Sequence, residues 1–226
     1  MKKGFTLSEV LITLGIVGVI AALTIPTILK NYRNKVYASQ LKRVYSQISE
    51  AAQAIRNDEQ TDNYYTTSAG VPQDTEADTC KTGPCYFLNN YFNLANRNCE
   101  TGDYKCVGDS YKTLQGAEMN APSGYCAQTV NGATICMSHN PNNQVTSICV
   151  DVNGPSEPNM AGRDVFSMDL KTDGSLSDYS SGSNVPGSLG APAADCGIRG
   201  GSNKNAYEKS AGCMTKILEA GWKMDY

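Results

Sequence analysis

The sequence predicts an α+β protein: one long amino-terminal helix, its first half suited to a membrane, packed on an antiparallel β-sheet with cysteine-stapled loops. Three observations lead there. The run from Val10 to Leu29 carries no charged residue. Beyond it an apolar stripe recurs at steps of three and four. Further on, strand-length segments flank an Asn-Gly pair and sit among nine cysteines.

At about 1.5 Å rise per residue, Val10–Leu29 covers the roughly 30 Å of a bilayer core. The stretch reads as a transmembrane helix with an acid, Glu9, at its mouth. An acidic residue near the centre of such a helix costs about 2.5–3.5 kcal/mol, and less near the interface, so Glu9 needs compensation. Locally, Thr6-Leu7-Ser8-Glu9 has capping-box spacing, with Thr6 as N-cap, and the negative charge suits the positive end of the helix dipole. A cleaved secretory signal is the competing account, since Lys2 and Lys3 precede the apolar run. It fits less well: the run is long for a signal core, holds Pro26, and shows no small-x-small site before Lys30.

Past Leu29 the helix continues to about Asn57. Tyr37, Leu41, Val44, Ile48, Ala51, Ala52 and Ile55 mark one buried face, while Lys35, Lys42, Arg43 and Glu50 face water. Within the apolar half, Pro26 removes one backbone donor, and Gly15 and Gly18 loosen the helix upstream. Gly15, Gly18 and Ala22 also allow close helix approach in lipid.

Lys2-Lys3-Gly4, then Phe5-Thr6-Leu7-Ser8-Glu9 and a hydrophobic helix, resembles the class III signal of type IV pilins and type II secretion pseudopilins. The resemblance implies cleavage after Gly4 by a prepilin peptidase, N-methylation of Phe5, and assembly of the apolar helices into a filament core. It also implies that Glu9 lies near the free amino group of a neighbouring subunit, an opposite charge that makes a buried carboxylate tolerable. Pro26 matches a family proline that bends or locally melts this helix. The chain then divides into a leader, 1–4, a transmembrane and filament-core helix, 5–29, its amphipathic continuation, 30–57, and a globular pilin-like domain, 58–226.

Charge does not orient the span, because Lys2 and Lys3 before it are answered by Lys30, Arg33 and Lys35 after it. Cysteine density does: Cys80, Cys85, Cys99, Cys106, Cys126, Cys136, Cys149, Cys196 and Cys213 all follow the span, which points to an oxidising compartment. The expected location is a single pass of the inner membrane with the carboxy-terminal domain outside the cytoplasm, then a periplasmic or extracellular filament. Structural zinc is disfavoured, since the spacings lack tight C-x-x-C pairs and His139 is the sole histidine. An odd count leaves at least one thiol free or bonded to another chain.

From Asp58 to about Gly124 the chain is polar, with few periodic signals. Cys80–Cys85 and Cys99–Cys106 are candidate small bridged turns. Strands are expected over 125–130 and 133–138, turned by Asn131-Gly132, and over 144–152. A two-residue turn sets Cys126 opposite Met137 and Cys136 opposite Ala127. Those two cysteines then point to opposite faces and do not bridge, leaving Cys149 as partner for one of them. A fourth strand carries Phe166, Met168 and Leu170 on one face, and Asp173-Gly174 turns it toward Leu176.

Asp151, Asn153, Asn159 and Asp164 admit two uses. Asx residues beside glycine form turns, which is the favoured reading. They are also oxygen ligands of the kind calcium takes, and some pseudopilins bind calcium in carboxy-terminal loops; the spacing is not that of an EF-hand. No other cofactor is expected. The segment Cys196 to Cys213 is a candidate bridged loop that resembles, in architecture only, the disulfide-bounded carboxy-terminal loop of pilins, and Ile217, Leu218 and Trp222 are expected in the core.

No catalytic constellation is present, so the chain is expected not to be an enzyme. A net charge of −3 argues against general DNA binding. The expected role is a structural subunit, major or minor, of a type IV pilus or secretion pseudopilus. Its partners are then like subunits, the prepilin peptidase, the inner-membrane assembly platform and membrane lipid. The alternative is a minor tip subunit whose loops bind a surface, a secreted substrate or DNA. An exported metal-dependent or thiol enzyme on an anchor comes last.

Overall fold

The computed structural model describes residues 4, 6–73, 80–97, 99, 106–140, 144–179, 196–197 and 204–226. Helix α1 (Leu7–Asp58) is followed by a 3-10 turn (Tyr64–Thr66) and α2 (Gly83–Tyr91). The strands are β1 (Leu94–Asn96), β2 (Tyr111–Lys112), β3 (Glu118–Met119), β4 (Tyr125–Thr129), β5 (Thr134–Asn140), β6 (Val145–Asp151), β7 (Val165–Leu170) and β8 (Leu176–Asp178). Helices α3 (Ala206–Lys209) and α4 (Cys213–Glu219) close the order. Six strands pair antiparallel in the order β1-β4-β5-β6-β7-β8, and β2 pairs with β3 separately. This is the α+β arrangement of a pilin-like fold.

Helix α1 has two environments. The large apolar residues of its first half are exposed, Leu11 at 62% and Leu23 at 73%. In its second half Ala38, Leu41, Val44, Ile48, Ala51, Ala52 and Ile55 are buried against the sheet. That contrast follows from a 3.6-residue period: only the second half alternates polar and apolar faces, so only it can pack on one side and stay wet on the other. The core between α1 and the sheet holds Ala127, Ile135, Met137, Ile148, Val150, Phe166, Met168 and Leu170. The opposite face of the sheet is covered too, where Cys126, Cys136, Cys149 and Val165 pack with Tyr111, Ala206 and Tyr207.

The β4–β5 hairpin corrects the expected pairing. Gly132 adopts φ +89°, its N–H bonds the Thr129 carbonyl at 2.9 Å, and the Thr129 N–H bonds Ala133 at 2.8 Å. The loop therefore has three residues, Val130-Asn131-Gly132, with glycine at the left-handed position such loops require. One extra loop residue slips the register by one, so Cys126 faces Cys136, and the two form a disulfide. Cys149 has no bridge and is buried. The β7–β8 turn repeats the device, with Lys171 bonded to Ser175 and Gly174 at φ +75°.

The segment between α1 and β4 holds more structure than expected. Thr82 precedes a nine-residue helix with Pro84 in its first turn, a position where the missing proline N–H costs nothing. Phe87 and Leu88 bury that helix in the main core. Cys85 lies in its first turn, bridged to Cys80; Cys99 bridges Cys106, and Cys196 bridges Cys213 at the start of α4. In the tail, Ile217 is buried, while Leu218 and Trp222 pack half-buried on the core. The Trp222 ring meets Tyr45 of α1 edge-on at 5.4 Å. Farther along, the Met224 carbonyl accepts from the Asn34 side chain at 3.1 Å, which ties the last residues to α1 near its membrane end.

Candidate functional site

The amino-terminal motif is built by the backbone of α1 itself. The first N–H groups of a helix lack intrahelical partners and need acceptors from outside the ladder. Thr6 supplies one: its hydroxyl accepts the Glu9 N–H at 3.3 Å, while Glu9 Oε2 accepts the Thr6 N–H at 2.8 Å and the Thr6 hydroxyl at 2.9 Å. This reciprocal capping box holds the Glu9 carboxylate at the helix mouth, fully exposed in the single chain. Gly4, just before it, is exposed with open space where a side chain would stand. Phe5 lies outside the described residues.

Two threonines inside the apolar half satisfy their hydroxyls within the helix. Thr13 donates to the Val10 carbonyl at 3.0 Å and Thr24 to the Ile20 carbonyl at 2.9 Å. A hydroxyl in lipid demands this, since no water is there to accept. The helix runs unbroken through Pro26. It is long and apolar enough to cross a membrane, and none of its most apolar window is buried in the fold. A bare apolar helix half, an accessible glycine and an acid fixed at the helix mouth thus occur together.

A family model described as a prokaryotic N-terminal methylation motif matches residues 1–25. The chain carries a class III prepilin signal. Over those residues the chain is similar to the amino terminus of type IV pilin and pseudopilin precursors. No curated protein and no solved structure matches the chain.

Away from the prepilin signal, the four residues weighed for calcium surround one loop between β6 and β7. Tyr111 donates its hydroxyl to Asp151 Oδ2 at 2.9 Å. Asp164 accepts the Asn159 N–H at 2.8 Å and the Met160 N–H at 2.6 Å, and Asn153 donates to the carbonyls of Ser156 and Glu157. These bonds fold the loop back on itself, the role Asx residues have in turns. Three oxygens, Asp151 Oδ1, Asn153 Oδ1 and Asn159 Oδ1, are buried without a donor. Oxygen donors suit calcium; yet Asp164 commits both oxygens to amides, and Asn153 turns its amide onto the loop's own carbonyls.

Burial is the main force on these acids. It pushes the Asp151 carboxyl up to about 8, helped by the nearby Asp164 charge and opposed by the Tyr111 hydroxyl. Burial likewise raises Asp164 to about 6, against the Met160 and Asn159 amides. At neutral pH Asp151 is therefore mainly protonated and Asp164 ionised. A third buried acid has a different task. Asp178, at the end of β8, accepts the Gly212 N–H at 2.9 Å and the Thr215 N–H at 2.6 Å, capping α4, whose own N-cap is a glycine. Sequence reasoning missed that cap because donor and acceptor lie over 30 positions apart in the chain.

Proposed function

We propose that this chain is a subunit of a type IV pilus or type II secretion pseudopilus. Its leader, 1–4, is cut after Gly4, and Phe5 becomes the N-methylated first residue. The apolar half, 5–29, waits in the membrane and then enters the filament core, while 30–57 carries the outer domain, 58–226. The observation that carries the reading is the prepilin signal on a helix whose apolar half finds no partner within its own chain. In the membrane Glu9 caps its own helix; in the filament it pairs with the amino terminus of a neighbour, which offsets the cost of burying its charge. Pro26, without a backbone donor, is where the helix yields when subunits pack.

The stapled loops between α1 and β4 favour a minor, tip-located subunit over a bare major one. Abundance in sheared filaments separates the two roles. The intact mass and amino-terminal sequence of the protein from its host membranes test the pathway: a chain beginning with N-methyl Phe5 is expected. Glu9→Ala is expected to leave processing intact and to reduce incorporation into filaments. Normal incorporation of that variant would refute the pairing of Glu9 with a neighbour.

A further inference from the structure

Where α1 leaves the apolar run, the outer domain reaches back to it. A loop carrying Pro158 and Arg163 meets the helix face of Pro26, Leu29, Lys30, Arg33 and Tyr37, enclosing a cleft of about 320 Å³. Three cations line it, Lys30, Arg33 and Arg163, and no acid does. Among the described residues, none of the three has a carboxylate within ion-pair distance. Two buried acids are near, and the charge of Asp164 reaches both Arg163 and the Tyr37 hydroxyl, although neither acid lines the cleft. Asp151 is buried and mainly protonated, and Asp164, though ionised, is buried with its oxygens bonded to backbone amides. After burial itself, the Tyr37 hydroxyl feels Asp164 first, then Arg33 and Arg163, so the two arginines and the buried acid act on the same side of the cleft.

The depth of the cleft decides what it meets. A bilayer of roughly 40–45 Å with a core of roughly 30 Å leaves a headgroup layer of about 5–8 Å on each side. With Leu29 at the edge of the core, Lys30 stands about 1.5 Å and Arg33 about 6 Å beyond it along the helix. The cations thus sit in the headgroup layer, and Pro26 and Leu29 line the side toward the acyl chains. Guanidinium groups match phosphate oxygens two at a time. We infer that this cleft is a binding site for the phosphate of one anionic phospholipid, held between α1 and Arg163 of the outer domain. The inference rests on Val10–Leu29 being a membrane span.

Juxtamembrane lysines and arginines attract anionic lipid diffusely; a built site differs in needing Arg163, which is far from the span in sequence. The test is native mass spectrometry of the full-length chain released from mixed micelles of phosphatidylglycerol and phosphatidylcholine. One phosphatidylglycerol per chain is expected to stay bound, in preference to phosphatidylcholine. Arg163→Gln and Arg33→Gln are each expected to lower its retention about fivefold, the effect of one cation at an anionic headgroup. Arg163→Lys should recover part of the loss. Lys35→Gln removes a charge about 3 Å farther along the helix than Arg33 and outside the cleft, and it should leave retention unchanged.

Equal loss from Lys35→Gln and Arg163→Gln would overturn the site in favour of diffuse attraction. Displacement of the lipid by excess inorganic phosphate, with phosphate bound in its place, would also overturn it, making the cleft a free-anion site. Unaltered retention in both arginine variants would dispose of it altogether. Resistance of the chain to alkaline extraction from membranes reports the span separately, so failure of the cleft and failure of the span are told apart.

Discussion

Replacing Asp151 by asparagine isolates one buried carboxyl and keeps its shape. In the folded chain that carboxyl titrates near 8, driven first by burial and then by the Asp164 charge; unfolded, it titrates at about 3.9. Between those values the native state holds a proton that the unfolded state has lost. The contribution of Asp151 to stability is therefore full below about pH 4, falls as pH rises, and stops falling above about pH 8. The slope inside the window is about 1.4 kcal/mol per pH unit. Asp164 and Asp178 titrate near 6 in the fold, so most of their effect lies at lower pH. From about pH 6.5 to 8, Asp151 alone should lower stability by roughly 1.5–2 kcal/mol, allowing for its partial ionisation near 8. For a chain of this size that is about 3–8 °C in melting temperature. Thermal melting of the full-length chain in detergent, followed by Trp222 fluorescence, reads this directly, because Trp222 packs on Tyr45 only in the fold. Wild type is expected to lose that increment, and Asp151→Asn to be nearly flat. Equal slopes in the two proteins would refute the burial argument.

Two further outcomes follow from packing. Cys149 is completely buried and the other eight cysteines are bridged; alkylation without reductant should label nothing in the native chain and one thiol after unfolding, and labelling of the native chain would contradict the buried position. Ile48→Ala should cost about 2–5 kcal/mol in chemical denaturation, as for other large-to-small core changes, whereas Ile16→Ala, at a residue 55% exposed, should stay within about 0.5 kcal/mol. A comparable cost at Ile16 would mean that the apolar half packs within its own chain.

Most of α1 was legible because period and charge agree along it. The stripe from Leu41 to Ile55 repeats at helical spacing, and the apolar run ends where the first cation stands. The Asn131-Gly132 signal located its hairpin but not its register. Glycine serves two-residue and three-residue loops alike, and the one-residue difference moved Cys126 from Met137 to Cys136. Helix α2 escaped notice because nine residues give too short a period, although Pro84 near its start was a usable sign. In the acidic loop, the turn-forming use of Asn153 and Asp164 was legible from residue type alone. Sequence reasoning could not see that Tyr111, 40 positions from Asp151, closes the group from below. Arg163 was equally hidden, since nothing local relates it to a helix face more than a hundred residues earlier.

The four bridges share a pattern of connectivity. They join residues separated by 5, 7, 10 and 17 positions, each cysteine to its neighbour in the list of cysteines along the chain. A domain that emerges into an oxidising space in sequence order, starting from the end of its span, would therefore meet each correct partner next. First-come oxidation yields the native set, and little shuffling is needed afterwards. One point in the sequence breaks the rule: Cys149 emerges alone, before Cys196, and pairing with it would strand Cys213. Its place on the middle strand β6, flanked by β5 and β7, removes that thiol from circulation once the sheet has formed. Sheet formation thereby protects the order of oxidation, and a mutation that delays β6 should show itself first as a wrongly bridged tail.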